Sequence, residues 1–181
     1  MIMDELVKLL SASAFVKKHA PQITNAIDGP ILDIAGGSGR NAFYLAMYGA
    51  EVICIDRNRE KFDLLRQHIS SKTDLIKKVS YYHLDLINSP WIFKKETAEA
   101  IICVHYQITN QFLRYCSSLK SGGWLLIETV GGQGDNYLEL PQLGLLNELF
   151  NNDFEMKMYQ ERAVGPRDEN RVAVKLLAQK K

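Results

Sequence analysis

Five short runs rich in β-branched residues recur along the chain with helical patterns between them, and this alternation limits the fold more than any other feature. The runs are Ile31–Ala35, Glu51–Asp56, Val79–His83, Ala100–Val104 and Trp124–Glu128. Strands that are apolar on both faces need cover on both sides, and parallel neighbours need a crossover between them. Helical patterns stand in the intervals: Asn41–Tyr48 ended by Gly49, Arg59–Ile69, and a segment near Thr109–Leu119 before the turn Lys120–Gly123. The expectation is an α/β, doubly wound, mostly parallel sheet. Two alternating segments, Phe154–Glu161 and Arg171–Leu177, are joined at Gly165-Pro166 with no helix between them. They predict a C-terminal antiparallel β-hairpin within 153–178, bringing the sheet to seven strands. Leu6, Leu9, Leu10 and Ala14 have helical spacing, which predicts a leading helix over 1–20 before Pro21.

The 181 residues are 46% hydrophobic and carry no Pro/Ser-rich linker, so one core and a single domain over 1–181 are expected, with the cofactor-binding core at 31–130. Lys and Arg total 22 against 21 Asp and Glu, a net charge of +1 that gathers no polyanion; there is no clear nucleic-acid signal. No stretch approaches the ~20 apolar residues of a membrane span, and the start is too charged for a signal peptide, which predicts a cytoplasmic protein. Cys54, Cys103 and Cys116 are widely spaced and read as core thiols. The four histidines are scattered, so no metal is expected. The sequence is silent on oligomeric state.

In an open α/β sheet, ligands bind beyond the carboxyl ends of the strands where their order reverses. Asp33-Ile-Ala-Gly-Gly-Ser-Gly39 stands at that place: Gly37 and Gly39 permit tight turns, and the helix opening near Arg40-Asn41 offers backbone amides. Asp56 ends the second strand, where it can accept hydrogen bonds from both ribose hydroxyls. Asp85, after the third, can accept one from an adenine amine. Gly37-Ser-Gly-Arg-Asn-Ala42 also fits a dinucleotide pattern, and Asp33 discriminates. A carboxylate just before the glycines repels a pyrophosphate but binds the ammonium of a methionine moiety. Amino acid plus adenosine describes S-adenosyl-L-methionine better than NAD.

Those residues carry a resemblance. Ile31–Ala46 resembles the first motif of the Rossmann-like class I S-adenosylmethionine-dependent methyltransferases, Val52–Arg57 the second, and Leu119–Glu128 the stretch leading into their fifth strand. Arg-Asn after the glycines is similar to small bacterial enzymes related to the tellurite-resistance methyltransferases. Ser13–Lys18 and Ala163–Arg167 resemble short bacterial class I proteins. The resemblance implies donor binding by Asp33, Ala35, Gly36, Gly37, Gly39, Arg40, Asn41, Asp56, Arg57, Asp85, Leu86 and Val104. It departs from the common pattern at Ala35, which replaces an early glycine. Val104-His-Tyr-Gln107 stands in place of the Asn/Asp-Pro-Pro-Tyr signature of many amino-methylating enzymes, which argues against DNA adenine or cytosine amines.

Methyl transfer from a sulfonium asks chiefly for alignment and exclusion of water. His105, just past the fourth strand, is the candidate base, because imidazole changes protonation near neutral pH; its bland alternative is packing against the cofactor. Tyr106 is the neighbouring wall or donor. Lys17, Lys18, Arg162, Arg167 and Arg171 are candidate anion contacts or a solvated face. The glycines of Gly131–Gly134 predict a mobile loop. The expected acceptor is a compact, anionic small molecule in a pocket walled by His105, Tyr106, Tyr137 and Arg167. Two other classes stand beside this reading: a non-catalytic cofactor sensor or partner subunit, and an NAD-dependent oxidoreductase, which the short chain disfavours.

Overall fold

β-branched and aliphatic side chains fill the first strand on both faces: Ile31, Leu32, Asp33 and Ile34 are all buried. A computed structural model describes residues 10–25, 28–129 and 134–181. The chain forms two compact units, the first ending at Pro90 and the second beginning at Trp91.

In the first unit, β1 (Ile31–Ile34), β2 (Val52–Asp56) and β3 (Val79–His83) are parallel, with Ile31 opposite Val52 and Val52 opposite Val79. Helices α1 (Ala14–Ile23), α2 (Arg40–Ala46), α3 (Arg59–His68) and α4 (Thr73–Lys77) complete it. Phe62 of α3 stacks on Phe43 of α2 with ring centroids 5.4 Å apart and tilts against Tyr81 of β3 at 4.9 Å. The α4 turn had no counterpart in the sequence reading.

The leading helix differs from expectation. Residues 1–9 lie outside the described residues, and α1 begins only at Ala14, where the Ser13 hydroxyl accepts from the Phe15 amide at 3.0 Å. Ser11, at φ 46°, separates Leu10 from it. Pro21 lies inside α1 rather than beyond it. It sits in the last turn, where the helix ends two residues later and the Thr24 hydroxyl bonds Ala20 O at 2.7 Å.

In the second unit, β4 (Ala98–Val104) is parallel to β5 (Leu119–Glu128), while β7 (Arg171–Lys180) is antiparallel to β5 and to β6 (Phe154–Val164). The terminal hairpin is present and longer than predicted. The helix expected near 109–119 is only a 3₁₀ turn and α5 (Leu113–Cys116). Leu119 already belongs to β5, and the turn Lys120–Gly123 is a bulge within it: Ala98 faces Leu119, but Ala100 faces Trp124. Gly122, at φ 79°, takes the bend. A helix the sequence reading omitted, α6 (Leu145–Phe150), carries Phe150 into an edge-on series with Phe112 and Phe154.

The strand order is β3-β2-β1 in the first unit and β4-β5-β7-β6 in the second, seven strands that are parallel except at the antiparallel C-terminal end. Cys54, Cys103 and Cys116 are all buried. No helix among the described residues is long and apolar enough to cross a membrane.

Candidate functional site

β1 delivers the chain into a turn that only unusual backbone angles can make. Ala35 has φ 54°, Gly37 57° and Gly39 76°. The Gly36 amide bonds Ile55 O at 3.1 Å, and Gly39 N bonds Gly36 O at 2.9 Å. A Cβ on Gly36 would stand 2.6 Å from Cys54 Sγ and 2.8 Å from Asp33 Oδ2, so Gly36 is closely packed. On Gly37 a Cβ would meet nothing within 4 Å. Gly39 caps α2, and a Cβ there would meet Phe62 at 2.8 Å.

Two carboxylates, Asp33 and Asp56, stand at this turn in the first unit, and a third, Asp85, follows β3. Asp33 is fully buried, and neither of its oxygens has a hydrogen-bond partner in good geometry. Burial pushes its carboxyl up to about 7, and the Asp56 carboxylate adds to the rise; the Ala42 amide and Arg40 draw it partway down. Burial, then Asp33 and Asp56, push the neighbouring Cys54 thiol up too, keeping it protonated. Asp56 Oδ2 accepts the Gly37 amide at 2.9 Å, and Oδ1 accepts the Asn58 amide at 2.8 Å. An ionised carboxylate has about four acceptor positions, so each oxygen retains capacity. Asp85 closes its own turn, accepting from Ile87 N at 2.9 Å and from Asn88 Nδ2 at 2.9 Å. The Asn88 side chain, followed by these amides, holds its carboxyl below the usual range.

The other expected donor-binding positions divide. Leu86 is buried and Arg57 is exposed. Arg40 Nη1 donates to Ser11 O at 3.1 Å, and Asn41 Oδ1 accepts from the Ser13 amide at 2.9 Å. Both side chains thus tie the leading segment to α2.

In the second unit β4 ends at Val104, which is buried, and the next residue, His105, is exposed with φ 61°. Its amide donates to Glu128 O at 2.7 Å. A non-glycine residue in this region is uncommon and tends to mark a functional position. His105 opens onto a pocket of about 330 Å³ whose other polar walls are Glu128, Thr129, Gln160, Arg162 and Lys175. Tyr106 is half-buried, Arg167 is exposed in the turn after β6, and neither is in this lining. Tyr137 packs against the hairpin turn instead: a Cβ on Gly165 would stand 2.7 Å from its ring. Residues 130–133, including most of the predicted mobile loop, lie outside the described residues. Of the other cations, Lys17 lies 6.0 Å from the Tyr44 ring centroid, and Arg171 Nη1 donates to Leu140 O at 2.8 Å.

Residues 31–123, just over half of the 181, match the family model described as a methyltransferase domain. The chain belongs to the methyltransferase domain family. It shares that family's class I fold, and S-adenosyl-L-methionine is the methyl donor. Among solved structures, the MccD protein is 13% identical with a TM-score of 0.67, over 94% of this chain and 98% of that one. TehB from Haemophilus influenzae is 20% identical with a TM-score of 0.67, over 94% of this chain but only 63% of its own. The glycopeptide N-methyltransferase MtfA, complexed with S-adenosyl-homocysteine, is 14% identical with a TM-score of 0.61, over 94% and 91%. At these identities the likeness is one of fold. No curated protein sequence matches the chain. The methyltransferase reading made from Asp33 and the glycine turn is borne out at the level of family.

Proposed function

We propose that the two units act as one functional domain that, in the cytoplasm, methylates a small, anionic acceptor. Asp33 is assigned the donor's ammonium, and Asp56 its ribose hydroxyls. Asp85 is assigned the adenine amine, with Arg57, Leu86 and Val104 as neighbouring lining. The backbone of Ala35, Gly36, Gly37 and Gly39 gives the close approach, with Arg40 and Asn41 bracing the turn. Bound there, S-adenosyl-L-methionine supplies a methyl group on a sulfonium that leaves as a neutral thioether.

The observation that carries this reading is Asp33. A buried carboxyl with no partner is expensive, commonly about 1–3 kcal/mol or more, and a cationic ligand group is the compensation its position invites. Asp56 supports it, because one carboxylate both holds the Gly37 amide and keeps acceptor capacity.

On the acceptor side the chain's own task is alignment and proton removal. His105 is assigned the base, for which its exposed position at the end of β4 suits it. Tyr106, Tyr137 and Arg167 remain candidates for the acceptor's surroundings.

The test has two arms. Calorimetric titration should show binding of both S-adenosyl-L-methionine and its demethylated product, lost in Asp33→Ala. Single-turnover transfer of labelled methyl into a metabolite extract should label a small molecule. Binding without any transfer would sink the catalytic reading and leave a sensor.

A further inference from the structure

The first unit carries a cavity that the donor turn does not use. β1, β2 and β3 start in register at Ile31, Val52 and Val79, so Lys78, the residue before β3, stands at the amino edge of these strands. The glycine turn follows Ile34 at the carboxyl edge, the length of β1 away, roughly 10–13 Å. A cavity of about 370 Å³ opens beside Lys78, between the end of α2 and α4.

The apolar part of its lining is the more deeply set. α2 ends at Ala46, which is buried, and Met47 beside it is half-buried, as is Leu75 of α4. Partly covered methyl and thioether groups gain when further apolar surface is laid on them. Charged groups stand around this apolar patch. Lys78 is exposed, and its Nζ donates to Gly49 O at 3.0 Å, which fixes its position and leaves it further donors. Lys72 is half-buried, yet its ammonium has neither an ion pair nor a hydrogen bond among the described residues. Asp74 is the one carboxylate of the lining and pairs with neither lysine. Two cations against one carboxylate leave the lining one positive charge in excess. The exposed hydroxyls of Ser71 and Thr73 add neutral donors.

We infer that this cavity binds a singly charged oxyanion carried on a short apolar body, in its simplest form an aliphatic carboxylate. Lys72 and Lys78 take the oxyanion, and Met47 and Leu75 lie under the chain. An ammonium is a compact point charge, so the site selects by charge and apolar length rather than by the planar geometry that an arginine imposes. It is a second ligand site, and it does not depend on the function proposed above. α2 joins the two places: Gly39, which caps its start, belongs to the glycine turn, and Ala46 ends it on the cavity wall.

The test titrates the full chain, isotopically labelled, with hexanoate, acetate, inorganic phosphate and hexylamine at constant pH and ionic strength. Hexanoate should shift the amide resonances of Met47, Lys72 and Leu75 saturably. It should bind about tenfold or more tighter than acetate, as expected when about half of the added methylene surface is buried. Phosphate should bind more weakly than hexanoate, and hexylamine should not bind. Lys72→Ala should weaken hexanoate about fivefold, the upper range for a partly exposed charge pair, and Lys72→Arg should retain most of the affinity. Met47→Ser should weaken hexanoate but not acetate. Both side chains are partly exposed, so these variants keep the fold. Hexylamine binding as tightly as hexanoate, acetate equal to hexanoate, or unchanged hexanoate affinity in Lys72→Ala would each overturn the inference. So would the absence of any saturable shift, or displacement of hexanoate by S-adenosyl-L-methionine, which would put the probe in the donor site.

Discussion

The Asp56 carboxylate accepts a hydrogen bond from the Gly37 amide at 2.9 Å, across 19 residues of chain. One side chain at the end of β2 therefore shapes the turn after β1 and offers its remaining lone pairs to a ligand. Asp56→Ala should weaken S-adenosyl-L-methionine by about tenfold or more, the loss expected for charge-assisted hydrogen bonds. Calorimetry decides it, and a dissociation constant within about a factor of two of wild type would remove the ribose assignment.

Asp33 makes the protein pH-sensitive in a definite direction. Its carboxyl is raised from 3.8 to about 7 in the folded chain. The unfolded chain releases this proton first, so the stabilising contribution is complete below about pH 4 and is lost as pH rises to about 7. Without ligand, Asp33→Asn should raise the melting temperature at pH 8 more than at pH 5. A cation bound to ionised Asp33 favours proton release, so donor affinity should increase from pH 6 to 8 in the wild type and lose that slope in the variant. A parallel pH profile in the two proteins would count against the ammonium assignment.

Ala35 occupies the left-handed region at φ 54°, where an L side chain costs about 1–2 kcal/mol. Glycine removes that strain but adds about 0.4–1 kcal/mol of unfolded-chain entropy. Ala35→Gly should therefore stabilise the protein by about 0.5–1 kcal/mol, a rise of about 1–4 °C in melting temperature. A fall in melting temperature would mean that the methyl group packs more favourably than the backbone angle is strained.

Gly36 and Gly37 are adjacent but should fail differently. Gly36→Ala drives a methyl into Cys54 and Asp33 and should lower thermal stability markedly. Gly37→Val has open space but a φ of 57° that a branched side chain resists, and it projects where the donor is proposed to lie. It should lose S-adenosyl-L-methionine binding while its far-ultraviolet circular dichroism stays near that of wild type. Retained binding would place the donor elsewhere.

The donor side was largely legible because its signals are local. The run Ile31–Ile34 ends at glycines, and Asp33 and Asp56 stand at strand ends that hydrophobic patterning alone locates. The local signal misled at Pro21, which α1 tolerates in its last turn, and at Lys120–Gly123, whose turn residues make a bulge inside β5. The polar pocket was harder to read. Alternation places Gln160, Arg162 and Lys175 on particular faces of their strands, but only the insertion of β7 between β5 and β6 brings Glu128 into one row with Lys175 and Gln160. That insertion depends on pairings between segments far apart in sequence, which no short window contains.

Among the described residues β6 pairs only with β7, which is paired along both sides. A peptide-bond cut in the turn Gly165–Asn170 would remove the covalent tether without removing a strand, so the severed halves could still hold together. If β7 were then displaced, β5 and β6 would each expose a row of backbone donors and acceptors, and two adhesive edges would open at once. Self-association, rather than simple loss of activity, is the hazard that this strand restrains.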